Sequence, residues 1–217
     1  MGFILIIIIL ILSVVIHEVA HGYSALSQGD PTAKYAGRLT LNPIKHLDLF
    51  GSFIVPALLF LLSAGVILGW AKPVPINPYN FKNQKWGEAW VAATGPLSNF
   101  FIAIIFGLLI RFSLAYDIFQ DAIPLMGLIV VINLILGIFN LIPIPPLDGS
   151  KILFSILPSS FDELRITLER YGLFIVLFVV LLFSATIFFV INIILVWAFA
   201  LLTGDPSVLS EVFQFFQ

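Results

Sequence analysis

The chain has 217 residues, of which 60% are hydrophobic and only 10% charged, and its formal net charge is -2. A soluble domain carries about a quarter charged residues, so the composition describes an integral membrane protein, and the slight negative charge offers nothing to a nucleic acid. There is no cysteine, which excludes disulfides and thiolate ligands and leaves imidazole and carboxylate as the metal-binding groups.

The first apolar stretch covers about residues 2–26. No Lys or Arg precedes it and no small-residue cleavage site follows, so a retained membrane helix is expected rather than a signal peptide. Residues 3–16 carry no charge, and then His17-Glu18-Val19-Ala20-His21 follows. On a helix, His17 and His21 lie one turn apart on one face. Two imidazoles so placed can chelate one Zn²⁺, and Glu18 can act as general base on water bound there. The chain has only three His and five Glu, and ionisable groups at membrane depth are costly and usually functional.

Four further apolar stretches follow, at about 49–69, 89–110, 123–142 and 172–202, each near or beyond the roughly 20 residues that span a bilayer. Polar stretches lie at 27–48, 71–88 and 148–171. The Pro-rich piece from Trp70 to Tyr79 is expected to be extended. The last apolar stretch, about 46 Å if wholly helical, can tilt, break near Ser184-Ala185-Thr186 or continue along the interface. No internal repeat is present. The expected fold is an all-α polytopic membrane protein, a bundle of about four to six transmembrane helices with a re-entrant, partly extended segment. It forms one domain over 1–217, with a catalytic core at about 3–155 and a C-terminal membrane segment at about 172–203.

A catalytic zinc takes three protein ligands and keeps one position open. The candidate third ligand is Asp148 in Asn140-Leu-Ile-Pro-Ile-Pro-Pro-Leu-Asp148-Gly149, where Pro143, Pro145 and Pro146 end a helix and Gly149 permits a tight turn. Alone, a Pro-rich loop with one Asp is usually only a loop. Paired with an intramembrane H-E-x-x-H it becomes the expected ligand.

With these motifs the chain resembles the site-2 protease family of intramembrane zinc metalloproteases. The matching features are His17-Glu18-x-x-His21, Gly95-Pro96-Leu-Ser-Asn99 opening a middle helix, and Asn140-x-x-Pro-x-Pro-x-Leu-Asp148-Gly149. Gly29-Asp-Pro-Thr-Ala-Lys34, Gly37-Arg-Leu-Thr-Leu-Asn-Pro43 and Trp70-Ala-Lys-Pro-Val-Pro75 are similar to the small bacterial members. The resemblance implies cleavage of a peptide bond in or beside a substrate's transmembrane helix, with one zinc per chain. The chain has no PDZ-like insertion and no regulatory domain, so recognition by such domains is not implied.

Convergence of the three ligands restricts the threading. His17 lies about 24 Å along the first helix, near its far end, and Asp148 must finish on that same side. This works only if residues 49 to about 80 leave that side and return to it, as a re-entrant hairpin or as a crossing with an extended return; Pro56, Gly65 and the Pro-rich run allow either. Nine of the ten cationic residues, all but Arg111, then gather on one side. By the positive-inside rule that side is cytoplasmic, placing the protein in the cell membrane with its N-terminus outside.

In this reading His17, His21 and Asp148 hold zinc, and Glu18 takes a proton from water and passes it to the leaving amine. Asn140 has two readings, a hydrogen bond to the substrate carbonyl or its oxyanion and a helix–helix hydrogen bond. Asn99 and Gly95-Pro96 are read as packing and helix-start features, and His46 as a solvated loop histidine. The extended run from Trp70 is either a strand edge for an unwound substrate or a structural loop. The expected partners are the lipid bilayer and a transmembrane protein substrate, with no nucleic acid. The competing function is a membrane metal-ion carrier using the His/Asp cluster as a transport site.

Overall fold

A bilayer offers no water to unpaired backbone groups, so long apolar runs must close their hydrogen bonds as helices. The computed structural model describes residues 2–62 and 69–215, and among these there is no strand. The helices are α1 (Gly2–Ser27), α2 (Thr32–Tyr35), α3 (Val55–Leu61), α4 (Gln84–Tyr116), α5 (Ile123–Asn140), α6 (Asp148–Ile156), α7 (Asp162–Thr203) and α8 (Ser207–Phe215). Among them α1, α4, α5 and α7 are long and apolar enough to cross a membrane. The protein is an all-α polytopic membrane protein.

Of these four helices, α5 is the most deeply buried, α1 and α4 are less so, and α7 is the least. The central strut is therefore α5, and α7 is peripheral. The main core joins Ala103 and Ile110 of α4, Val130 and Leu134 of α5, Leu195 and Phe199 of α7, and Val208 and Val212 of α8. Lipid tails are as apolar as these side chains, so close packing rather than water exclusion holds the helices together. Gly107 faces Leu202 and Gly127 faces Val212 at distances that a Cβ would obstruct. Large apolar side chains such as Phe174, Phe178 and Trp197 are left on the outer surface, where lipid covers them.

A π-turn at Phe50–Ile54 leads into α3. The two together rise only about 18 Å, too little to cross a 30 Å hydrocarbon core. The Trp70 N–H donates to the Gly51 carbonyl at 3.1 Å, and the Ser52 hydroxyl donates to the Trp70 carbonyl at 3.0 Å. The chain at Trp70 is thus back beside its point of departure, as both the re-entrant hairpin and the crossing with an extended return require. Gly65, part of the sequence argument for that hairpin, lies outside the described residues.

Most of the polar stretch 148–171 proves to be helical. Residues 148–156 form α6, and α7 begins at Asp162, ten residues before its apolar stretch. Asp162 and Glu163 occupy the first turn of α7, where negative charge complements the helix dipole. The expected break near Ser184 is present as a kink at Phe183, whose φ of -114° and ψ of 21° are not helical and divide α7 into two helical segments. Gly95-Pro96 does not open a helix. Asn83 caps α4 by accepting from the Trp86 N–H at 3.0 Å, and Pro96 lies in the helix interior.

The extended residues between Trp70 and Asn77 are pinned from below. Asp30, fully buried just after α1, accepts from the Asn77 N–H at 2.7 Å, the Asn80 amide at 2.8 Å and the Thr32 N–H at 3.1 Å, and also from the Thr32 hydroxyl. Burial alone would push its carboxyl up, but the donors from Asn77, Thr32 and Asn80 hold it below the usual aspartate range. A depressed folded-state value contributes stability above the ordinary aspartate pKa of about 4 and loses it as pH falls through the lowered one. Asp30→Ala is expected to cost about 1.5–3 kcal/mol at neutral pH. Thermal unfolding in detergent should show that gap to wild type shrinking as the medium is acidified below the ordinary aspartate range.

Candidate metal centre

The two imidazoles of the H-E-x-x-H segment stack edge to face on α1, with ring centroids 4.6 Å apart and an interplanar angle of 88°. Their Nε2 atoms are 3.0 Å apart. Asp148, the first residue of α6, brings Oδ2 to 3.1 Å from His17 Nε2 and 3.2 Å from His21 Nε2. All three side chains are buried. Four ligands at about 2.0 Å around a tetrahedral zinc are separated by edges of about 3.3 Å, so this triangle matches one tetrahedral face.

Hydrogen bonding on the far sides of the rings makes that triangle electron-rich. His21 Nδ1 lies 2.7 Å from the Val91 carbonyl oxygen, an atom that only accepts, so Nδ1 carries the proton and donates. His17 Nδ1 donates to Asn99 Oδ1 at 2.7 Å. In its neutral form, each ring so held points an Nε2 lone pair at its neighbour and at a carboxylate oxygen. Three acceptors facing one another without a proton between them repel, and a cation at their centre removes the conflict. The donor set therefore fits zinc.

The flanking sequence explains how the groups meet. Gly95 of α4 lies against both imidazoles, where a Cβ would collide with the His17 and His21 rings. Gly149 sits in α6 and does not make the turn; its missing Cβ lets α6 abut the Leu141 and Ile142 carbonyls. Gly172 of α7 presses against Pro145 and Pro146 in the same way, clamping the Pro-rich loop between helices. Asp148 Oδ1 faces Lys151 Nζ at 4.0 Å, leaving Oδ2 for the histidines. Glu18 is half-buried beside the triangle, and its Oε2 accepts from the Val74 N–H at 2.8 Å. These residues line a cavity of about 640 Å³ that also takes in Asn140, Trp70, Glu88 and Lys151.

The model of peptidase family M50 matches residues 115–184, which hold Asn140 and Asp148. A Bacillus subtilis protein named "Putative zinc metalloprotease YwhC" is 40% identical over 86% of this chain and 85% of its own length. The chain belongs to peptidase family M50. "Zinc metalloprotease MJ0392" of Methanocaldococcus jannaschii is 30% identical over 74% of this chain, which spans only 36% of that longer protein. "Putative zinc metalloprotease Rip2" of Mycolicibacterium smegmatis is 32% identical over 68% of this chain and 55% of its own length. No solved structure matches the chain.

Within this M50 member, the remaining sequence expectations divide. Asn140 lines the cavity, but its amide donates to the Leu136 carbonyl of its own helix at 2.9 Å rather than to another helix. His46 is not solvated. It is buried under the extended residues, with Nε2 at 2.9 Å from the Thr40 carbonyl and its own carbonyl accepting from the Lys72 N–H at 2.8 Å. It stands apart from the three-residue cluster. The extended run makes a poor strand edge: the N–H groups of Trp70, Lys72 and Val74 are taken by Gly51, His46 and Glu18, and two of the three alternate positions are Pro73 and Pro75, which have none.

Sequence reading undervalued Gly95 and Asn99. Their i,i+4 spacing sets both on one face of α4, and that face is the one turned to the histidines. Gly95→Ala is expected to displace the imidazole pair, lowering the metal retained by the purified chain and destabilising it by about 1–3 kcal/mol. Metal analysis alongside thermal unfolding checks both.

Proposed function

We propose that this member of peptidase family M50, a zinc metalloprotease, is an intramembrane endopeptidase that cuts peptide bonds in or beside the transmembrane helices of membrane-protein substrates. The observation that carries the reading is the buried Nε2, Nε2 and Oδ2 triangle with Glu18 at its edge, at the base of a cavity inside a helix bundle. His17, His21 and Asp148 would hold the metal. Zinc, when bound, supplies the Lewis acidity that acidifies water and polarises a carbonyl.

Glu18 acts as general base and then as general acid, taking a proton from water and handing it to the leaving amine. The Val74 N–H occupies one of its two oxygens and fixes the carboxylate plane. Asn140, on the cavity wall, would orient the substrate carbonyl with the amide N–H that Leu136 does not take. A helical substrate has its backbone groups hydrogen-bonded within itself, so the segment to be cut must be locally unwound, which favours cleavage near helix-breaking residues. A carrier would need ligating groups at several depths, and the one His/Asp triad is the sole such cluster among the described residues.

Glu18→Gln is expected to retain zinc while proteolysis falls by 10²–10⁴-fold or more. His21→Ala and Asp148→Ala should lose both, as read by metal analysis and by membrane-fragment proteomics against wild type. A Glu18→Gln enzyme cutting at more than about a tenth of the wild-type rate removes Glu18 from the base role.

The active site faces the cytoplasm, with nine of ten cations on that side. The 2.9 Å bond from the Lys82 N–H to the Gln28 carbonyl supports one common level for the two loops. Since the chain has no cysteine, single cysteines at Ser27, Lys82 and Ser159 can be labelled cleanly. All three are expected to react with an impermeant thiol reagent only from the cytoplasmic face, and one at Asp121 only from outside.

A further inference from the structure

The proton on His17 Nδ1 needs a partner that only accepts, and Asn99 is not such a partner by itself. A carboxamide turned over by 180° presents NH₂ where its oxygen was. With its amide reversed, Asn99 would donate to His17 Nδ1, drive the ring proton onto Nε2 and block the atom that faces the triangle. His21 carries no such ambiguity, because its partner is the Val91 backbone carbonyl.

The ambiguity is removed two residues further back. Asn99 Nδ2 donates to Asn133 Oδ1 at 3.0 Å and reaches the Ser13 carbonyl only at 3.5 Å, the outer limit of a hydrogen bond. Asn133 Nδ2 donates to the Ile129 carbonyl at 2.9 Å and to Ser13 Oγ at 2.9 Å. Both asparagines are fully buried, with 0% exposure, so no water can substitute for a missing partner. Ile129 O is a backbone atom of α5 and cannot reverse. Turning Asn133 over would set oxygen against the Ile129 oxygen and NH₂ against the Asn99 NH₂. With Asn133 held, Asn99 must show its oxygen to His17.

We infer that Asn133 of α5 is a positioning residue for the metal centre: it passes the polarity of the Ile129 carbonyl through Asn99 and so fixes His17 as an Nδ1–H tautomer with Nε2 free to bind zinc. Asn133 touches neither the histidines nor Asp148. It acts through Asn99, and Ser13 of α1 closes the chain by taking its second N–H. The residue lies inside an apolar helix and outside every motif the sequence offers. Loss of such an outer partner typically weakens metal binding by 10–100-fold.

This inference rests on the reading of His17 as a zinc ligand, and one experiment separates the two. Zinc affinity is measured by chelator competition on the full chain for wild type, Asn133→Leu and Leu134→Ala. The last empties a buried position on the same helix and reports what core damage alone does. Asn133→Leu is expected to bind zinc 10–100-fold more weakly and Leu134→Ala like wild type. Wild-type affinity in Asn133→Leu, or equal losses in both variants, overturns the inference; a wild-type chain that binds no zinc overturns the metal-site reading instead. If Asn133→Leu does not fold, histidine ¹⁵N spectra of the zinc-loaded wild type decide. The chain has only three histidines, and His17 should be metal-bound through Nε2 with its proton on Nδ1. Coordination through Nδ1 overturns the inference.

Discussion

Three lone pairs aimed at one point are an unfavourable arrangement that folding has to impose and a cation has to relieve. The residues responsible are separated by up to 131 positions, His17 in α1 and Asp148 at the head of α6. Much of the architecture serves that encounter. Trp70 returns to Gly51 at 3.1 Å, and α4 and α5 then deliver Asp148 to the far end of α1. Small residues then set the distances. Gly95 lets α4 lie against the two rings, Gly149 lets α6 lie against the end of α5, and Gly172 lets α7 brace the Pro-rich loop between them.

Polar groups at this depth are few and almost all committed. Ser13, Asn99 and Asn133 knit α1, α4 and α5 together around His17, and the Val91 carbonyl of α4 holds His21. In a medium without competing water, such bonds carry both orientation and helix specificity. The apolar core around Phe199 and Val208 lies elsewhere, toward α8. Chemistry and bulk packing thus occupy different ends of the bundle.

The convergence of His17, His21 and Asp148 was legible because each sits in a pattern with a mechanism: an i,i+4 imidazole pair, and a carboxylate presented after a Pro-terminated helix. The return of the chain near residue 70 to the neighbourhood of residue 51 was legible too, since convergence of the three side chains required it. What escaped was whatever depends on contacts between distant helices. Gly95 and Asn99 read as packing until α4 was seen against α1, and nothing local distinguishes Asn133 from any polar residue in an apolar helix. His46 escaped for the same reason, because its burial comes from the extended residues folding over it. The first turns of α7 were missed because charged residues such as Arg165 and Glu169, paired at i,i+4, look alike in a solvated loop and on a solvated helix.

The kink at Phe183 divides the duties of α7. Before it, Arg165 pairs with Glu88 at the cavity edge, Gly172 backs the prolines, and Val176 packs near Phe139 and Leu147. After it, Leu195 and Phe199 belong to the main core. A straight 42-residue rod would transmit every displacement from one end to the other. A joint in the middle loosens that coupling, so a small displacement of the half that flanks the cavity need not disturb the half locked into the main core.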